Sequence, residues 1–212
     1  MNRLMESFHN GFREHKLYYL LVLLLFCIGI VIGICTVKYM DPTNKSDVTS
    51  YFNTFVNGAS ERTTDYGDLF LKVLKKNMLL LIPIILLSLT FFGAPLILIC
   101  DLVKGFTLGY TFTFLLTTFN GKGFILALAS VIPQNLFYIP CYIAISVIGI
   151  NMSNKTLKER FLKSPVKSKI EKIKNISNSL VMILIFFIIG VMVETYLGPN
   201  IIKFVLEKFY TS

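Results

Sequence analysis

Few residues of this sequence have a type and a setting that could do chemistry. Glu194 lies deep in the apolar stretch Leu180 to Leu197, where an ionised carboxylate costs a few kcal/mol unless it finds a partner or a water-filled face. Passage of a proton or ion is one use for it; a position near the outer interface, just before Pro199, is the other. Asp101 and Lys104 stand three apart near the start of an apolar helix, so on one face they can pair, and Lys104 near a membrane edge can also snorkel. Ser88 and Ser130 lie in apolar surroundings without a histidine or lysine beside them, which leaves a serine nucleophile without its base. The cysteines, Cys27, Cys35, Cys100 and Cys141, all fall in apolar stretches and never as CxxC or beside a histidine. They read as buried small hydrophobes rather than as a disulfide framework or metal ligands. His9 and His15 sit in the polar N-terminal tail and read as surface residues. Phosphate-binding glycine loops, nucleophile elbows, HExxH and paired carboxylates do not occur. The expectation is a protein that is not an enzyme and holds neither cofactor nor metal.

The elements that must position these residues are membrane helices. Of the 212 residues 54% are hydrophobic and 16% charged, with a mean hydropathy of +0.67, and a globule of that composition would leave large apolar patches in water. Leu17 to Val37 is free of charge and, at about 1.5 Å per residue, matches the roughly 30 Å of a hydrocarbon core. It reads as a retained anchor: its apolar run exceeds that of a signal peptide and no small-residue cleavage site follows. Met78 to Phe119 is too long for one span. Its turn is expected at Gly93 and Pro95 in FFGAP, giving spans at about 78–93 and 95–119, either as two crossings or as one crossing and a re-entrant turn. Asn120 to Gly123 form the next turn, 124–150 is a fourth span kinked by Pro133 and Pro140, and 180–198 is a fifth, ended or bent by Pro199. The fold class is therefore all-α, a single polytopic bundle of about five spans over residues 1–212.

Two polar connections separate the spans. The 38–76 loop is expected to carry a short amphipathic helix capped by Asp47, with Val48, Tyr51, Phe52, Phe55 and Val56 on one stripe of a 3.6-residue period. That stripe would lie on the membrane surface, under a partner or against the rest of the protein. The second, 151–179, is a basic loop holding eight of the 21 lysines and arginines, between Lys155 and Lys174. The formal charge of +9 thus reflects sidedness rather than a nucleic-acid site. With the N-terminus and the basic loop in the cytoplasm, twelve of the 21 bases lie inside, and the 38–76 loop and the C-terminus lie outside.

Small residues speak to assembly. Gly29 and Gly33 form a GxxxG in the first span, and Gly105 and Gly109 another in the third, each a flat patch that lets helices approach closely, within the bundle or between proteins. Gln134 and Asn135, beside Pro133, can hydrogen-bond carbonyls that the proline leaves free.

Taken in order, FFGAPLIL from Phe91, LVKGFTLGYTFTFLL from Leu102, GKGF from Gly121 and ASVIPQN from Ala129 to Asn135 resemble the stage II sporulation protein M family of endospore-forming bacteria. Length, lone first span, polar outer loop and basic segment agree as well. Within the matched region Lys104, Gly105, Gly109, Gly121, Lys122, Gly123, Pro133, Gln134 and Asn135 follow the family pattern. The resemblance implies a non-enzymatic membrane scaffold at the sporulation septum, in the engulfing cell membrane. It would hold two peptidoglycan-degrading partners, the stage II sporulation proteins D and P, so that the mother-cell membrane migrates around the forespore. Contacts with those partners would fall on Tyr51, Phe52 and Phe55 of the outer loop and on glycine-faced helices that receive the partners' anchors. A permease or lipid-handling subunit of a transporter is the competing function, since kinked spans and a buried carboxylate also build transport pathways.

Overall fold

The computed structural model describes residues 16–50, 65–118, 123–162 and 169–200, with the side chains of all but 158–180 among them. Every regular element among the described residues is helical. α1 is Lys16–Lys38, α2 Tyr66–Ser88, α3 Gly93–Thr118, α4 Gly123–Leu162 and α5 Lys169–Met192, the last running into a π-helical turn at Val193–Leu197. The chain is an all-α bundle. Among the described residues four helical stretches are long and apolar enough to cross a bilayer: Lys16–Lys38, Gly93–Thr118, Gly123–Leu157 and Val181–Asn200.

α2 is built differently. Lys72, Lys75 and Lys76 occupy its first half, and its charge-free part runs from Met78 to Ser88, about 16 Å of helix rise. Asp65 caps its start by accepting from the backbone N–H groups of Gly67 and Asp68, and Asp68 in the first turn adds a charge that suits the helix dipole. α2 and α3 form a tight hairpin. The turn falls at 89–92, before Gly93 and Pro95 rather than on them: the N–H groups of Leu89 and Thr90 still reach back to Leu86 and Leu87. Gly93 is instead the first residue of α3, pressed so closely on the Leu87 carbonyl that a Cβ there would overlap it.

Cross-links between helices fix their directions. Lys45 reaches the Thr117 carbonyl, and Tyr66 stacks on Tyr196, at one end of the bundle. Tyr18 meets Asn154, and Ser153 meets the 89–92 turn, at the other. Each of the five helices therefore reverses the direction of the one before it. The core is formed chiefly by α2, α4 and α5, through residues such as Leu81, Ile84, Tyr138, Tyr142 and Phe187, with Ile97 of α3 packed among them. Leu17, Leu24, Val31, Ile99, Leu136 and Ile185 point outward and supply the apolar girdle that lipid requires.

The structure corrects several expectations. A helical stretch occupies 42–50, but it starts behind Asp41 with Pro42 in its first position, where a missing N–H costs nothing; Asp47 lies inside it and is not its cap. Tyr51, Phe52 and Phe55 lie outside the described residues, as do Gly121, Lys122, His9 and His15. The basic 151–179 segment is not a loop in its described parts, because α4 continues to Leu162 and α5 starts at Lys169. At 40 residues α4 is about 60 Å long, roughly twice the hydrocarbon thickness, so its basic end projects beyond the membrane. Cys27 and Cys35 sit on the outward face of α1 rather than in the interior; only Cys141 is fully buried. Pro199 does not end the fifth helix. A proline cannot donate to the carbonyl four residues back, and the backbone takes a wider register just before it, with Gly198 N–H bonding the Val193 carbonyl.

Candidate functional site

The two GxxxG motifs meet each other. Gly29 packs on the backbone of Leu102 and Phe106, Gly33 on Phe106, Gly109 and Tyr110, Gly105 on Phe26 and Gly109 on Ile30. A Cβ at any of the four would run into a backbone atom of the facing helix. α1 and α3 thus lie parallel with their backbones in contact, the largest helix–helix interface of the bundle. In lipid, where apolar side chains gain little by leaving the solvent, such close packing is what holds helices together. The glycine faces of α1 and α3 are turned to each other, which is the within-bundle use of the two motifs. Gly123, the first residue of α4, makes a similar close approach to the carbonyls of Leu115 and Leu116.

A polar stripe runs down α4 through Tyr138, Tyr142, Ser146 and Ser153. Their spacing of four, four and seven keeps them on one face of a helix. Each finds a partner on another helix. Tyr138 donates to Glu194 Oε2 at 2.8 Å and accepts from Asn77 Nδ2 at 3.1 Å. Tyr142 donates to the Asn77 carbonyl at 3.0 Å. Ser146 donates to Asp101 Oδ1 at 2.6 Å. Ser153 donates to the Thr90 carbonyl at 2.8 Å and accepts from Ala94 N–H at 3.0 Å, so that it serves as a tertiary cap for both strands of the α2–α3 hairpin.

Glu194 is the centre of the upper part of this network. It sits in the π-helical turn, a form that often marks a site where a side chain has been re-aimed. Asn77 Nδ2 also donates to its Oε2 at 3.0 Å, and Lys76 Nζ stands 3.6 Å from its Oε1. The Lys76 side chain is 76% exposed and that of Glu194 13%. The half-buried acid is therefore paired from the rim of the bundle by Lys76 and hydrogen-bonded to α2 and α4. It lies about 9 Å of helix rise from Asn200, in the C-terminal half of the span Val181–Asn200.

Lys104 is placed at the middle of α3 and does not reach a membrane edge. Its ammonium lies 4.6 Å from the ring centroid of Tyr142 and 5.6 Å from that of Tyr138. Cation–π attraction of this kind is worth about 2 kcal/mol when the group is desolvated. The expected Asp101–Lys104 pair does not form: the tyrosine faces draw the ammonium one way and Ser146 takes the carboxylate the other. Asn135 gives Nδ2 to the Val131 carbonyl at 2.7 Å, one turn back, and not to Ala129, whose carbonyl Pro133 leaves without its usual donor. Gln134 and Pro133 are half-buried. Ser88 donates to the Ile85 carbonyl at 2.6 Å, a local bond within its own helix. Asn77, Tyr138, Tyr142, Ser146 and Ser153 are the residues that sequence reasoning missed; the signal for the last four was their single polar face on α4, and for Asn77 on α2 there was none.

The family model described as "Stage II sporulation protein M" matches residues 22–199. No curated protein and no solved structure matches the chain.

Proposed function

The chain belongs to the stage II sporulation protein M family, and from that premise we propose that it is a non-enzymatic scaffold of the engulfment machinery. It recruits peptidoglycan-degrading partners, the stage II sporulation proteins D and P, and holds them at the septum. There the wall is thinned and the mother-cell membrane migrates around the forespore. The basic 151–179 segment faces the cytoplasm, and the ends of the helices near Lys45, Tyr66 and Tyr196 face the wall, on the side where such partners work.

The observation that carries the scaffold reading is the use made of Glu194. A transport pathway needs an intramembrane acid that can exchange its partners, whereas this one is spoken for by Asn77, Tyr138 and Lys76 at once. Together with the glycine contacts between α1 and α3, it ties the helices into one fixed frame on which extramembrane partners can be held.

Purification of the tagged protein from sporulating cells in mild detergent tests this. Wall-degrading proteins are expected to co-purify, and replacing Phe52 and Phe55 with serine should abolish their recruitment while membrane insertion persists. Recovery of an ATPase subunit in their place would make the chain part of a transporter.

A further inference from the structure

α2 turns one face away from the bundle. Lys72, Lys75, Lys76, Leu79 and Ile82 recur at the three- and four-residue steps that keep them on one side of a helix, and all five are exposed. The half of this face toward Ser88 is apolar, as lipid requires; the half toward Tyr66 is basic. That basic half does not stand clear of the bilayer. Asn77 bonds Tyr138, and the Lys104 ammonium lies over the same ring, so Lys75 and Lys76 leave the backbone near the level of the middle of the spanning helix α3. Lys76 reaches Glu194, and there its ammonium is still about 9 Å of helix rise inside the end of the span Val181–Asn200. A cation facing acyl chains at that depth is costly unless an anion meets it. The acids of the chain do not suffice. Asp68 pairs with Lys72 and Glu194 with Lys76, yet the two lysine side chains remain 72% and 76% exposed. Lys75 has no acid beside it among the described residues.

We infer that this face holds an anionic phospholipid, with its phosphate among Lys72, Lys75 and Lys76 and an acyl chain along Leu79 and Ile82. A phospholipid matches both halves of the face in the right order, negative headgroup over apolar tail. A free phosphate answers the lysines and leaves Leu79, 74% exposed, uncovered. A second copy of the chain meeting this face about a two-fold axis sets lysines against lysines, because such contacts are self-complementary. Binding draws the headgroup toward the middle of the membrane, which thins the leaflet on the Tyr66 side along α2. This suits a helix whose charge-free part, Met78 to Ser88, rises only about 16 Å. The site does not depend on the scaffold reading, since it needs only the chain and a bilayer.

The sequence contains no tryptophan, so Leu79→Trp places a single indole on this face. The full chain carrying it is reconstituted in equal parts of dioleoylphosphatidylglycerol and dioleoylphosphatidylcholine, with bromine on the acyl chains of one lipid or the other. Quenching of the indole reads which lipid lies against it. The phosphatidylglycerol should be favoured by about fivefold, the gain that one lysine brings near an anionic lipid surface. Val31→Trp, on the outward face of α1, gives the reference and should show no such preference. Adding Lys75→Gln, or Lys72→Gln together with Lys75→Gln, should bring the preference at Leu79→Trp down to that reference. Ile82→Trp carries the measurement should Leu79→Trp not reconstitute. Equal quenching by the two lipids, or a preference that survives both lysine replacements, would overturn the site. Quenching by neither lipid would overturn it as well, because protein would then cover the face.

Discussion

Gly33 and Gly109 bring two helix backbones into contact: a Cβ built on Gly33 would stand 3.2 Å from the carbonyl carbon of Gly109 and closer still to the backbone of Phe106 and Tyr110. Because the neighbours are main-chain atoms, no side chain can swing aside to make room. α1 makes its principal contact with α3, so this seam is what keeps the first helix in the bundle.

Gly33→Val and Gly109→Val should each separate α1 from α3. Overpacking usually costs about 1–3 kcal/mol, and these sites fall at or above the top of that range because backbone must move. Unfolding in detergent should show a markedly lower midpoint for both. Leu136→Val, on the outward face of α4 and away from the seam, serves as a control and should change it little.

Tyr138 and Glu194 yield a graded pair of outcomes. Tyr138→Phe removes a hydroxyl that serves Glu194 and Asn77 together, and should destabilise the bundle by about 1–2 kcal/mol, the upper part of what interhelical bonds in membranes contribute. Glu194→Gln keeps an acceptor oxygen for both donors and loses the pair with an exposed Lys76, worth at most about 1 kcal/mol. Glu194→Gln should therefore retain spore formation and protein abundance. Loss of spores at normal abundance would return the carboxylate to the transport reading.

Ser153→Ala strips the Thr90 carbonyl and the Ala94 N–H of their shared partner at the α2–α3 turn. An orphaned buried group costs about 1–3 kcal/mol, and these part-buried groups fall at or below the bottom of that range. The variant should open the 89–92 turn first, read as faster amide exchange at Ala94 than at Phe114, and Ser153→Thr, which keeps the hydroxyl, should restore much of the protection.

The parts of this fold legible in the sequence were those that depend on the solvent. Charge-free runs long enough for a bilayer announce themselves, and four of the five helices carry one. Lipid makes no such demand on a helix that packs its apolar face inward, which is why α2, with three lysines in its first half, extends further toward its N-terminus than its apolar residues suggest. The glycines were visible as motifs, but spacing within one helix cannot say which helix it meets. Asp101 and Lys104 failed as a pair because helical spacing gives opportunity only; the tyrosines and serine that divide them come from α4, more than thirty residues away. The stripe on α4 was readable in principle, since Tyr138, Tyr142 and Ser146 recur every fourth residue in an apolar helix, yet its partners on α2, α3 and α5 are tertiary facts.

Cysteine accessibility in cells measures the proposed orientation, in which the bundle crosses the membrane with its basic end in the cytoplasm. With the four native cysteines replaced, Cys at position 46 in place of Ser46 should react with a membrane-impermeant maleimide in wall-permeable intact cells, and Cys in place of Ser164 only after the membrane is opened. Labelling of position 164 in intact cells, with position 46 protected, would contradict the orientation and the role built on it.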